Sequence, residues 1–104
     1  MKGQITIAGV ALLLLASPLV EVTDSTFIAG RARLPRNYVG EATAFRGSAA
    51  TRARGQELDA RAWLVIRGWV SPVVKVQVLD ENDPAPYWLV STRRPDDLVK
   101  ALNS

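Results

Sequence analysis

Hydrophobic and polar positions divide the chain into an apolar N-terminus and a body of short alternating runs. Ile5 to Val20 is nearly unbroken apolar sequence, interrupted only by Thr6, Ser17 and Pro18. Beyond it, Val20-Glu21-Val22-Thr23 and Thr26-Phe27-Ile28-Ala29 read as a strand pair around the turn residues Asp24-Ser25. Arg31-Ala32-Arg33-Leu34 alternates charged and apolar positions, as an edge strand does, and Pro35 ends it. Residues 37–45 are strand-like, with Gly40 marking a bulge or a close approach. Residues 48–59 mix helix formers with Gly55 and predict a short helical or irregular excursion.

The second half is clearer. From Ala60 to Ile66 the parity puts Ala62, Leu64 and Ile66 on one face and Arg61, Trp63, Val65 and Arg67 on the other. Val74, Val76 and Val78 form one face of the next strand, against Lys75 and Gln77. Residues 80–84 are a polar turn. Tyr87 to Thr92 is aromatic and β-branched, fit for a pleated, half-buried surface. Pro95 then starts a helix with Asp96 and Asp97 in its first turn, where the helix dipole favours negative charge. Leu98, Val99 and Leu102 give it one apolar face, and Asp96 can pair with Lys100. So short a helix must dock to persist. The expectation is an α+β chain: about six strands in a small antiparallel sheet or partly open barrel, closed by a short C-terminal helix. Its divisions are residues 1–19, a hydrophobic membrane segment, and residues 20–104, the β-rich body.

Spanning a bilayer as a helix takes about 20 apolar residues. The run here has 16 and one preceding basic residue, Lys2. It reads as a membrane anchor or as the surviving part of a longer span whose start lies upstream of Met1. A signal peptide and a soluble core element are the competing readings. If it spans, Arg31, Arg33 and Arg36 outweigh Lys2, which places the body in the cytoplasm.

Composition narrows the chemistry. The 104 residues include no Cys and no His. That removes disulfides, thiol and imidazole catalysis, and zinc sites built on sulfur and nitrogen ligands. Between Arg31 and Arg67 eight arginines face three acidic residues, whereas from Asp80 onward acids outnumber bases. A basic middle suits a phosphate-bearing partner, lipid or nucleic acid; a plainly solvated surface is the simpler reading. Asp80, Glu81 and Asp83 could offer oxygen ligands to Ca²⁺ or Mg²⁺, but their spacing matches no EF-hand and a polar hairpin loop is the better reading. Adjacent Asp96 and Asp97 diverge on a helix and cannot share a substrate. Glycines are scattered, with no phosphate-cradling loop. The expectation is a non-enzymatic protein that needs no cofactor.

The candidate binding residues are Arg61, Trp63, Arg67 and Trp69. Trp favours membrane interfaces and Arg pairs with phosphate, so they fit a surface for anionic lipid headgroups. They fit equally a stacking platform for single-stranded nucleic acid, the alternative function. Burial beneath the excursion or the helix is the structural expectation for Trp63. Arg93 and Arg94 are candidates for an acidic partner, or structural residues that cap carbonyls or pair with Asp80 to Asp83.

Four pieces together resemble a known family: VEVTDSTFIAGRARLP, NYVGEATA, the Arg67-Gly68-Trp69-Val70 stretch, and DPAPYWLVSTRRPDDLVKAL. They are similar to the actinobacterial membrane proteins grouped as domain of unknown function 3093. The resemblance covers most of Val20 to Leu102, and its most specific part is PYWLVSTRRP. It implies a membrane protein with an N-terminal hydrophobic hairpin of two spans, of which the first is missing here. It implies no catalytic residue. The strand order ending in a helix is also similar to the bacterial pleckstrin-homology-like domains that follow membrane hairpins. Together these imply a cell-membrane protein whose cytoplasmic body binds headgroups or a membrane-protein partner.

Overall fold

The computed structural model describes residues 20–103. The expected membrane segment, residues 1–19, lies outside the described residues. Among those described, no helix is long and apolar enough to cross a membrane.

Among the described residues, seven strands form two sheets. β1 (Val20–Val22), β2 (Thr26–Ala29) and β3 (Ala32–Pro35) make an antiparallel meander. β4 (Val39–Phe45), β5 (Trp63–Val65), β6 (Val73–Val78) and β7 (Tyr87–Ser91) make the second sheet, in the order β4-β6-β7-β5. The excursion is a helix, α1 (Gly47–Arg54), which stops at Gly55; α2 (Pro95–Asn103) closes the chain.

The all-antiparallel expectation is corrected at β5. It runs parallel to β7, with Trp63 opposite Trp88 and Val65 opposite Val90. The chain lays β5 and β6 apart, and β7 later fills the slot between them. Its sequence explains the choice. All five residues of β7 are buried, not half-buried as its aromatic and β-branched composition implied, and a largely apolar run suits a strand covered on both faces. β5 is left at the edge and is shorter than the sequence parity indicated.

On one face of the four-stranded sheet, Ala42, Val74, Val76, Trp88 and Val90 meet Val20, Val22, Phe27 and Leu34 of the meander. Phe27 and Trp88 join the two sheets, with ring centroids 5.1 Å apart and planes tilted by 34°. Leu98 and Leu102 of α2 enter the same cluster, and the helix packs on β4, β6 and β1. On the opposite face, Ala50 and Ala53 of α1 cover Val73, Tyr87 and Leu89. The bulge falls where Gly40 indicated: register shifts between Val39 and Ala42, and a Cβ on Gly40 would sit 2.6 Å from the Gln77 side-chain oxygen.

Arg36 holds the meander to α2. Its guanidinium donates to the Thr23 carbonyl at 2.7 Å and to the Leu102 carbonyl, in the last turn of α2, at 3.1 Å. Carbonyls there lack partners within the helix and carry its negative dipole end. Replacing Arg36 with Met, which keeps the aliphatic stem, is expected to lower stability by about 1.5 kcal/mol and the melting point by roughly 10 °C. Thermal denaturation of the full chain in a mild detergent checks this.

Candidate functional site

Hydrogen bonding sorts the eight arginines of the basic middle. Arg36 bonds to carbonyls as above, and Arg54 donates to the Ser71 carbonyl. Arg46 pairs with Asp96 at 2.8 Å and Arg52 with Glu57 at 3.6 Å. Arg61 grips Asp59 through two nitrogens, Nε to Oδ1 at 3.2 Å and Nη2 to Oδ2 at 3.0 Å. The guanidiniums of Arg31, Arg33 and Arg67 have no ion pair with another described residue.

Those three lie near one end of the body. Val20, where the apolar run meets the body, pairs with Ala29. Gly30, next in the chain, turns with a φ of 62° that suits glycine. A Cβ placed on it would lie 3.6 Å from Val65, so this turn abuts the end of β5. Arg31 follows Gly30 directly; Ile66, Arg67, Gly68 and Trp69 follow Val65. Exposed aromatics gather in the same place. Five large apolar side chains are exposed among the described residues, and three of them are Trp63, Leu64 and Trp69, at 44%, 46% and 66%. Burial of Trp63 beneath the excursion or the helix is thereby corrected: β5 is an edge strand, and no described residue covers the outer part of its indole.

A groove of about 270 Å³ runs between β3 and β5. Arg31, Ala32 and Arg33 line one side, Trp63 the other, with Asp83, Ala85 and the nearly buried Trp88 completing it. Of the sequence candidates, the structure brings only Trp63 into this groove. Arg67 and Trp69 belong to the loop beyond β5, where the Arg67 backbone N–H donates to Ser91 Oγ at 3.0 Å. Arg61 is occupied by Asp59. Arg31 and Arg33, which the sequence marked as edge-strand and topology-setting charges of the basic middle but not as site residues, are the additions. Their alternation with Ala32 signalled an edge strand, but the partner edge lies more than thirty residues further along the chain.

Arg94 pairs with Asp97 at 2.7 Å, not with the 80–83 loop. Arg93 is exposed. The loop's acids serve its own turn: Asp80 Oδ1 accepts from the Asn82 N–H and Asp83 Oδ1 from the Ala85 N–H. Asp96 bonds to Arg46, which ties α2 to the end of β4. Among the described residues no cluster of three or more acidic, Cys or His side chains is placed for a metal ion.

The side-chain hydrogen bond from Arg61, and then its backbone N–H, hold the Asp59 carboxyl at about 2, below its ordinary 3.8. A depressed folded-state value contributes stability above the unfolded value, lost as pH falls through the folded one. The pair is therefore expected to contribute evenly from pH 8 to 5 and to weaken only below about pH 4. Carbon-detected NMR titration should give a midpoint near 2 for Asp59. With Arg61→Gln that midpoint should move up toward 3.8.

A second groove, about 370 Å³, lies on the opposite sheet face among Thr43, Lys75, Gln77 and Tyr87. Lys75 Nζ sits 4.4 Å from the Tyr87 ring centroid, so its cation already has a partner.

A family model described as "Protein of unknown function (DUF3093)" matches residues 3–102. The chain belongs to this DUF3093 family. The match takes in the apolar run as well as the body, so the run is part of the DUF3093 pattern and not an appendage to it. Comparison with curated proteins gave no match, and comparison with solved structures gave none.

Proposed function

We propose that this DUF3093 chain is a non-enzymatic binding module of the cell membrane. Residues 1–19 anchor it, and the body lies on the cytoplasmic side against anionic headgroups or a membrane-protein partner. One observation carries the reading: the arginines of the basic middle that make no ion pair with a described residue, Arg31, Arg33 and Arg67, lie with exposed Trp63 and Trp69 on β3, β5 and the loop after β5, toward the end where the apolar run joins β1. A surface facing lipid needs cations for phosphate and aromatics for the interface, and needs them at the anchored end. The body is read as a variant of the pleckstrin-homology-like arrangement, two sheets with a C-terminal helix in one gap, altered by the parallel β5. A nucleic-acid module would use the same arginines, but five of the eight are engaged elsewhere in the fold, which leaves no long basic track for a strand.

Alkaline extraction of membranes from cells expressing the C-terminally tagged chain tests the anchor. Retention in the pellet is expected. Release into the supernatant would overturn the anchored reading and put the nucleic-acid module first.

A further inference from the structure

We infer that the groove between β3 and β5 is a site for a zwitterionic phosphodiester, a phosphate carrying one negative charge joined to a short cationic arm. As a lipid headgroup, this ligand rests on the membrane reading above.

The lining is unusual in its mixture. Two guanidiniums, Arg31 and Arg33, stand on one side, and neither is spent on an ion pair with a described residue. Guanidinium groups are planar forks matched to phosphate oxygens. Asp83 also lines the groove. Among the described residues only its Oδ1 is engaged, by the Ala85 N–H at 2.9 Å, and Oδ2 is the oxygen offered to a ligand. A carboxylate beside the arginines opposes a second negative charge and attracts a cation. The half-exposed Trp63 indole lies in the same groove, and an aromatic face attracts ammonium. The titratable lining offers two positive charges and one negative, so the phosphodiester anion is set against the arginines and the cationic arm against Asp83. At about 270 Å³ the space is slightly below the usual range of drug-sized pockets, a size suited to a headgroup.

The test is calorimetric titration of the full chain in a non-ionic detergent with two soluble probes, glycerophosphoethanolamine and glycerophosphoglycerol. They share the phosphodiester and differ in the cationic arm. The first should bind about tenfold tighter or more. Asp83→Asn keeps the acceptor for the Ala85 N–H and removes the charge, so the two probes should then bind within about twofold of each other. Arg33→Gln, on an exposed edge, should weaken both by about tenfold. Equal affinities in the unaltered chain, a preference for the glycerol probe, no saturable binding, or a preference that survives Asp83→Asn would each overturn the site. Micelles doped with phosphatidylethanolamine separate the sources. Competition by doped micelles with the soluble probe identifies the lipid, and binding of the soluble probe alone identifies a free metabolite of the same chemistry. The two readings fail separately: a chain released at alkaline pH that still prefers the amine probe refutes the anchor alone, and a retained chain without the preference refutes the site alone.

Discussion

Trp88→Ala is expected to remove about 4 kcal/mol of folding stability, much of the margin of a body this small. Trp88 lies in the central strand β7, is 3% exposed, and meets Phe27 across the two sheets. The loss combines transfer of a large aromatic, the cavity it leaves, and a ring-pair contribution of about 1 kcal/mol. Trp88→Phe should recover more than half of it. Urea unfolding of the full chain in micelles reads both variants. A loss below about 1 kcal/mol for Trp88→Ala would mean that the Phe27–Trp88 cluster is not what joins the sheets.

In vesicles containing anionic lipid, Arg31→Gln combined with Arg33→Gln is expected to release the body from the bilayer surface about 30-fold. Each basic residue near an anionic surface contributes about 1 kcal/mol, and together that is about 2 kcal/mol. The arginines stand on an exposed edge and make no ion pair with a described residue, so folding should change little. The readout is surface contact of the body in the reconstituted full chain, because the apolar run would hold both versions in the vesicle. Raising salt should mimic the double substitution in the unaltered protein and add little to the variant. If the variant's body stays as close to the bilayer as the unaltered one, lipid contact through β3 is wrong.

Local chemistry was legible in this sequence where it acts over a few residues. The valines of β6, the edge alternation of β3, the bulge at Gly40, and Pro95 opening a helix with two aspartates all follow from steric and electrostatic rules within a turn or a strand. Position in the sheet was not legible. Val65 beside Val90 depends on β7 inserting between two strands laid down earlier, and nothing in residues 63–65 encodes that partner. The error on Trp63 has the same origin, since an average preference for burial cannot register that a strand lies at an edge. The arginines show the limit best. Arg36 reaches Leu102, 66 residues on, and Arg46 reaches Asp96, 50 residues on, whereas Arg31 and Arg33 make no ion pair with a described residue. Composition counts all four alike.

Because the chain lacks cysteine, a single introduced thiol labels one chosen place. The most direct measurement attaches an environment-sensitive fluorophore at Leu64→Cys, beside the joined end, and in a second protein at Asp24→Cys, in the exposed turn at the opposite end of the meander. Both full-length proteins are placed in anionic vesicles that carry nitroxide quenchers at headgroup depth. A blue-shifted, strongly quenched label at position 64 and a solvent-like, unquenched label at position 24 are expected. Equal, solvent-like signals at both positions, or quenching at 24 alone, would contradict membrane contact at the joined end.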